Sequence, residues 1–294
     1  MIDVSTEVYP IWGDGADLIR VLDVVAVGDG RFVSETHHDG GRVVVEASQM
    51  LAQALVAAGR IAPGRRCVSA HLVAGRPADT RLPLEFEVET LSHGRTVTSL
   101  LVHVRQQDRR CATAQLLLDV GAPDLIRHAS PAPPAAGPDD AVPFDMGVTG
   151  RELRVVDGAY DDDPRAAPGP PVIDAWVRFR EVPDDPVLHA ALLVQFTGHM
   201  SIAAAMRPHA GIGQRDAHET ISTGINAIAL SLHADVHADR WVRYHHESTF
   251  AGDGMTHSAC RAYDESGTLL ASFSVDAMVR PFVDGRTGDK RVDL

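Results

Sequence analysis

The chain has 294 residues, 45% of them hydrophobic, and a formal net charge of −13 at pH 7, which argues against nucleic acid or an anionic membrane as its main partner. Its first residues, Met1–Glu7, lack the basic and apolar regions of a signal peptide, and no apolar run approaches the ~20 residues of a membrane helix. We therefore expect a cytoplasmic globular protein with one large or two medium-sized domains.

The first half of the chain predicts leading strands, one central helix and then a series of strands. The leading strands are Leu18–Val27 and Arg31–His37. The helix is Glu46–Gly59, because this segment is rich in Ala and Leu, contains no proline and ends on a glycine suited to a C-cap. The strand-like runs that follow are Cys67–Gly75, Leu84–Thr90, Gly94–Arg105 and Arg110–Asp119.

The middle of the chain, residues 121–170, has a different composition. Residues 128–145 and 161–171 are rich in Pro, Asp, Ala and Gly, which is typical of a linker. We expect this segment to lie over the surface, partly ordered by Phe144 and by Leu153–Val156.

The second half repeats the order of the first. A leading strand, Val172–Glu181, precedes a second small-residue segment, Gly198–Gly211, which matches the first predicted helix in length and in its terminal glycine. Four strand-like runs follow: Ile225–His233, Trp241–Thr249, Thr256–Tyr263 and Leu269–Val279.

The repeated order predicts an α+β duplication, in which two tandem hotdog repeats each wrap an antiparallel sheet around a central helix. We expect a first repeat over residues 1–120, a linker over 121–170 and a second repeat over 171–294. Helices 46–58 and 198–207 should lie side by side across one continuous sheet. Because strands and helices do not alternate regularly, a Rossmann or TIM fold is not predicted.

Cysteine and histidine give little sign of a metal or redox site. The chain has 3 cysteines, all inside predicted strands and without a CxxC pair, so we expect reduced core residues. His233 and His237 are spaced i, i+4, but they follow a strand and lead into a turn, so their rings are not expected on one face. We expect no metal and no cofactor.

The assembled segments resemble the acyl-CoA thioesterase II family. The resemblance spans nearly the whole chain outside the linker, and its matching pieces are Gln49–Leu55, Leu84–Leu91 with Gly94 and Arg95, Arg207–Gly213, Trp241 with Glu247–Thr249, and Asp264–Ser272 with Met278–Arg280. The resemblance implies a double hotdog in one chain that hydrolyses an acyl thioester to an acid and free CoA. Acyl-CoA is then the partner, CoA enters only as part of the substrate, and a homo-oligomer is compatible with the family.

The resemblance also implies a catalytic trio in the second repeat: an Asp at the start of the central helix, a Thr or Ser on the next strand, and a Gln near the end of the last strand. In this chain the Asp position falls on Gly198 and the hydroxyl position on Ile225, with Ser222 and Thr223 as the nearest hydroxyl candidates. The Gln position falls on Val275, or on Asp276 if one residue of a bulge is missing. The family's trio is therefore not intact.

Other residues near these positions offer the same chemistry. His199 is a candidate base, since histidine side chains ordinarily have a pKa near 6.5, and Asp276 is a candidate second acid or a group that orients His199. A helix start supplies free N–H groups for an oxyanion, and Gly198 would let substrate approach them closely. Ser222 and Gln49 complete the predicted substrate-binding set.

The duplication offers a second candidate site. Aligning the two predicted helices places Glu46 opposite Gly198, so an acid absent from one repeat is present in the other. The pattern Val44–Gln49 also resembles single-hotdog β-hydroxyacyl-thioester dehydratases, which implies that Glu46 and His199 could meet across the internal pseudo-twofold. We favour a thioesterase that works at the second-repeat site. A hydratase or dehydratase and a non-catalytic acyl-CoA binder are the alternatives.

Overall fold

The computed structural model describes residues 13–35, 44–160, 165–217 and 219–282. The first half contains helices α1 (Gly15–Leu22) and α2 (Ala47–Ile61). Its strands are β1 (Gly13–Asp14), β2 (Val25–Gly28), β3 (Arg31–Val33), β4 (Arg66–Ala74), β5 (Glu85–His93), β6 (Val97–Gln106) and β7 (Arg109–Asp119).

The second half contains helices α3 (Pro186–Phe196) and α4 (Ser201–Met206). Its strands are β8 (Val142–Pro143), β9 (Val148–Thr149), β10 (Arg151–Val155), β11 (Val172–Phe179), β12 (Ile221–Leu232), β13 (Val242–Gly252), β14 (Met255–Asp264) and β15 (Leu269–Pro281). Short 3₁₀ turns occur at Pro138–Asp140, Val156–Gly158 and Gln214–Asp216.

The strands of both halves form one antiparallel sheet of 13 strands, in the order β2-β3-β5-β6-β7-β4-β12-β15-β14-β13-β11-β10-β8. The halves join where β4 pairs with β12, from Val73 opposite Ala227 to Ser69 opposite Ser231. On either side of this junction the order is mirrored, with β7, β6 and β5 matching β15, β14 and β13. This arrangement confirms the predicted double hotdog with a continuous sheet.

Helix α2 lies in the centre of the first half and is buried from Ala47 to Ala58. It packs beside α3, so a helix of the second half lies against it. The helix continues past the predicted C-cap glycine to Ile61. A Cβ atom on Gly59 would lie 3.0 Å from both methyl carbons of Val187, so this glycine allows close helix packing.

The second central helix differs from the prediction. A helix starting at Gly198 is wrong, because α3 begins at Pro186 and ends at Phe196, and α4 begins only at Ser201. The Asp185 carboxylate accepts a hydrogen bond from the Val187 N–H, and Pro186 occupies the first turn, a combination that strongly favours a helix start. Between the two helices the chain turns through Met200, whose φ is +60°.

The predicted leading strand Leu18–Val27 is also wrong in its first part. Residues up to Leu22 form α1, with Leu18, Val21 and Leu22 fully buried at helical spacing. Only Val25–Gly28 is a strand. Of the predicted strand Arg31–His37, the structure forms Arg31–Val33, and residues 36 and 37 lie outside the described residues.

One apolar stretch in the described residues, Pro186–Met206, is long and apolar enough to span a membrane by composition, contrary to the sequence-based expectation. It is divided between α3 and α4, and 72% of its most apolar window is buried inside the protein. Such burial is typical of core helices.

The proline-rich segment lies over the outer face of the second half, as predicted. Its carbonyl oxygens accept hydrogen bonds from aromatic and arginine side chains of the sheet: Trp176 donates to Ala136 at 2.9 Å and Arg243 donates to Pro133 at 2.8 Å. The same segment contributes β8 and β10 to the sheet, so part of residues 121–170 belongs to the folded second half.

Candidate active site

The start of α2 carries a group of buried polar side chains. Glu46 immediately precedes the helix in an extended conformation, and its carbonyl accepts the first helical hydrogen bond, from Met50. Ser48 and Gln49 follow and are almost fully buried. Among the described residues, Ser48 Oγ and Gln49 Oε1 have no hydrogen-bond partner. The first N–H groups of a helix also have no partner within the helix.

His199 reaches this helix start from the second half. It lies in the break between α3 and α4, where its ring stacks on Phe196 with a centroid distance of 4.6 Å and an interplanar angle of 3°. Its Nε2 lies 3.6 Å from Glu46 Oε2, and both side chains are largely buried. That distance is longer than a direct hydrogen bond, but it is within ion-pair range. The structure therefore brings together two predicted residues from opposite halves.

Two further polar side chains of the second half surround this pair. Tyr244 lies with its ring centre 4.8 Å from that of Phe196, and its hydroxyl donates to the Leu193 carbonyl at 3.0 Å. The Arg151 guanidinium lies 5.4 Å from the Phe196 ring centre. Burial raises the pKa of Tyr244, and burial lowers the pKa of Arg151 to about 10.

A second buried cluster lies next to His199. Ser201 Oγ is 2.9 Å from His246 Nδ1, and Cys260 Sγ is 3.5 Å from the same nitrogen. Burial first, and then the neighbouring His245 and His199, lower the pKa of His246 to about 3, so its ring is neutral at physiological pH. Burial raises the pKa of Cys260 to about 12, so its thiol stays protonated.

The positions predicted from the sequence for the family's trio carry apolar groups. A Cβ atom on Gly198 would overlap Ser48 Oγ and would lie 2.8 Å from Ser48 Cβ and 3.0 Å from Ile225 Cδ1. Val275 is fully buried on the inward-facing side of β15. A carboxylate therefore has no room at residue 198 while Ser48 holds its present position.

Asp276 is not brought to His199. It points away from the helices, opposite to Val275 and Ala277, because side chains alternate along a strand. Its Oδ1 lies 2.7 Å from His257 Nδ1, and about half of each side chain is exposed. The predicted role of Asp276 in orienting His199 is therefore not supported by this geometry.

The other predicted residues take different places. Thr223 is buried on β12, two residues before Ile225 and on the same face. Ser222 is partly exposed on the opposite face. Gln49 lies in the first turn of α2, near Glu46.

Sequence reasoning missed Ser48, Arg151, Ser201 and His246. For two of them a signal exists in the strand alternation. Arg151 shares the inward-facing positions of Leu153 and Val155, and His246 shares those of Tyr244. A polar residue at a core position of a strand is unusual and indicates a special role. Ser48 and Ser201 carry no such signal.

Little open volume is present beside Glu46. A cavity of about 10 Å³ is lined by Val45 and Gln49, among others, next to the start of α2. A larger cavity of about 180 Å³ lies at the end of α4, against Met206 and Arg207. In the described part of the chain, no group of three or more His, Cys, Asp or Glu side chains is placed to hold a metal ion.

Comparisons with known proteins agree on one family. Residues 35–118 match the model of the acyl-CoA thioesterase N-terminal domain, and residues 127–278 match that of the C-terminal domain. The chain is 24% identical over 283 residues to acyl-CoA thioesterase 2 of Haemophilus influenzae, covering 90% of this chain and 97% of that protein.

Solved structures share the fold. A tesB protein of Mycobacterium avium subspecies paratuberculosis superposes with a TM-score of 0.76 at 24% identity, covering 90% of this chain and 99% of that one. The acyl-CoA thioesterase II TesB2 of Mycobacterium marinum gives a TM-score of 0.75 at 21% identity, with the same coverage of 90% and 99%.

Proposed function

Since the chain belongs to the acyl-CoA thioesterase family, we propose that it hydrolyses an acyl-CoA thioester to the acid and free CoA at the Glu46–His199 pair. The observation that carries this assignment is the buried contact of 3.6 Å between these two side chains at the start of α2. The apolar residues at the positions predicted for the family's trio, Gly198, Ile225 and Val275, support it, because none of these three side chains can activate water.

In this mechanism His199 acts as the general base and Glu46 as its positioning partner. We assign the proton of the neutral His199 ring to Nε2, because this nitrogen faces the Glu46 carboxylate. The other ring nitrogen, Nδ1, is then the basic one. Water attacks the thioester carbonyl carbon, and one of its protons passes to Nδ1. The resulting imidazolium is stabilised by the Glu46 carboxylate. When the tetrahedral intermediate collapses, the C–S bond breaks and the proton passes to the departing sulfur.

The start of α2 supplies the stabilisation of the oxyanion. Its first N–H groups and the positive end of its helix dipole favour negative charge on the carbonyl oxygen. The helix is 15 residues long, so the dipole is well developed. The Ser48 hydroxyl and the Gln49 side chain lie at the same end and can donate further hydrogen bonds, and both are almost fully buried. Donors held in a buried site are worth more than the same donors in water.

The residues predicted on the second half take smaller parts in this proposal. Thr223, on the same face as Ile225, lines the space between the helices and the sheet. Gly198 contributes through its small size, because it lets the break carrying His199 approach Ser48. Asp276 and Ser222 face the opposite side and have no part in it.

Reversible hydration of an enoyl thioester is the second candidate. It is favoured by one observation, the pairing of a helix-start acid with a histidine from the other half. The same two groups could deliver water to a double bond, with one side chain taking a proton and the other giving one. Hydration leaves the C–S bond intact and hydrolysis breaks it, so the two reactions are easily separated.

The experiment that tests the function is a turnover assay with purified protein. Short, medium and long saturated acyl-CoA substrates should release free thiol, measured with a thiol-reactive dye. An enoyl-CoA that loses its conjugated absorbance without releasing thiol would establish the hydratase instead. Binding of acyl-CoA without either reaction would establish a non-catalytic binder and would contradict the proposal.

Several other features expected from the sequence remain predictions. These are a cytoplasmic location, a homo-oligomeric assembly, the absence of a cofactor, and a boundary between the two halves near residue 120.

A further inference from the structure

Arg151 is the inward-facing arginine of the second half. It starts β10, on the same face as Leu153 and Val155, and it lies among core side chains with 8% of its surface exposed. Its Nη1 has no hydrogen-bond partner among the described residues. Burial lowers the pKa of Arg151, and the Glu46 carboxylate, followed by Tyr244 and Asp145, partly offsets that lowering.

The arginines on the outer face of the same sheet have carbonyl or carboxylate partners. Arg154, on the same strand, donates to the Pro138 carbonyl at 2.9 Å and lies 5.5 Å from the Trp241 ring centre. Arg178 forms an ion pair of 2.9 Å with Glu152, although its Nε, like Arg151 Nη1, has no hydrogen-bond partner among the described residues. An unbonded donor in a buried guanidinium is costly, so Arg151 Nη1 points to an acceptor that arrives with a ligand.

The position of Arg151 relative to His199, the proposed base, determines which part of a bound substrate Arg151 would contact. Its guanidinium lies 5.4 Å from the centre of the Phe196 ring, and the His199 ring stacks on that same ring at 4.6 Å. Arg151 and His199 therefore contact the same aromatic side chain. A thioester carbon held beside His199 would place the far end of a short acyl chain near Arg151.

We propose that Arg151 binds a carboxylate at the far end of the acyl group, so that the preferred substrates are CoA thioesters of short dicarboxylic acids. This inference rests on the proposed function for the place of the thioester. An arginine–carboxylate pair can form two parallel hydrogen bonds and is among the strongest polar contacts in proteins. The acyl carboxylate would also accept the hydrogen bond that Arg151 Nη1 otherwise lacks.

The test compares matched pairs of substrates in three proteins. Succinyl-CoA is compared with butyryl-CoA and glutaryl-CoA with pentanoyl-CoA, in the wild type, in Arg151→Met and in the outer-face control Arg154→Met. The wild type should favour the carboxylated member of each pair in kcat/KM by roughly tenfold to a hundredfold, the value of a hydrogen bond to a charged group. Arg151→Met should lose this preference, Arg154→Met should keep it, and Arg151→Lys should restore part of it.

Two results overturn the inference. One is an equal preference in the wild type and in Arg151→Met. The other is an equal loss on both members of each pair, which would place Arg151 on the CoA moiety or on the thioester itself.

A binding measurement decides the inference even if no thioester is hydrolysed, an outcome that would contradict the proposed function alone. Free glutarate should raise the melting temperature of the wild type more than pentanoate does, and Arg151→Met should abolish this difference. Equal shifts with the two acids in the wild type would overturn the role of Arg151.

Discussion

The start of α2 and the break between α3 and α4 occupy related places in the two halves, but they differ in chemistry. The start of α2 keeps Glu46, Ser48 and Gln49 as buried polar groups. The break carries His199 and the buried Thr197, beside the apolar surface of Ile225. Because Glu46 and His199 meet across the two halves, we propose that a base from one half works with an acid from the other. Under this proposal, a duplicated fold can lose its site in one half without losing the reaction.

The outer faces of the two halves differ as well. Residues 131–138 cover the second half through hydrogen bonds from Tyr263, Arg243, Trp176 and Arg154. On the first half, apolar side chains such as Val73 and Leu117 remain exposed, at 50% and 38% of their surface. The proline-rich segment is thus part of the folded second half.

Of the substitutions that test this comparison, replacing His199 is expected to have the largest effect on activity. Replacing it by glutamine, which fills similar space and lacks a basic nitrogen, should lower kcat for acyl-CoA hydrolysis by about 10²- to 10⁴-fold, the usual contribution of a general base. His257→Gln is the matched control, because His257 pairs with Asp276 on the outer face. Circular dichroism should show both variants folded. Similar kcat values for the two variants would remove His199 from the mechanism.

A second prediction concerns the packing of the break against α2. Gly198→Ala should lower the free energy of unfolding by about 1–3 kcal/mol, the usual cost of overpacking, because the added Cβ overlaps the Ser48 hydroxyl. Ser48→Gly in the same chain should recover part of that loss. Denaturant unfolding of the two single variants and the double variant measures the coupling. Additive effects would mean that residues 48 and 198 do not meet.

The neutral His246 predicts a pH dependence of stability. Its folded-state pKa of about 3 lies below the ordinary 6.5, so between these values the unfolded chain binds the extra proton. The stabilising contribution is therefore complete above pH 6.5 and falls by about 1.4 kcal/mol for each pH unit below it. His246→Gln should show a correspondingly shallower loss of unfolding free energy from pH 7 to pH 5. Equal slopes in the two proteins would contradict the buried neutral state.

The smallest effect on stability is expected from a substitution on the outer face of the second half. Trp176→Phe removes the hydrogen bond to the Ala136 carbonyl and should cost about 1 kcal/mol of unfolding free energy. Limited proteolysis should then cut residues 128–141 faster than in the wild type. If stability and cleavage rate stay the same, the proline-rich segment does not depend on this contact.

The sequence predicts the architecture well, because the order of helix and strands is repeated and the strand periodicity is strong. It fails at α1 and α3, where apolar runs fit strands and helices equally well. At α3 the capping pair Asp185–Pro186 was the available signal.

The candidate site was predictable only in part. Glu46 follows from aligning the two halves and His199 from its place beside Gly198, and the resemblance to single-hotdog dehydratases predicts that the two meet. The sequence-based prediction placed Asp276 near His199, but its side chain points outward because side chains alternate along a strand. The apolar neighbours Val275 and Ala277 already indicated which positions face inward. The overlap of Ser48 with residue 198 depends on how closely two distant segments pack, and a single sequence does not specify this distance.

The most direct test of the shared site is the rate of acyl-CoA hydrolysis by Glu46→Gln beside that of Asp276→Asn. Both changes replace a carboxylate by an amide of similar shape, one at the start of α2 and one on the outer face of β15. We expect Glu46→Gln to lower kcat by about 10²-fold or more and Asp276→Asn to stay close to the wild type. A large loss of kcat in Asp276→Asn together with an unchanged kcat in Glu46→Gln would place the chemistry in the second half and contradict the role of the Glu46–His199 pair.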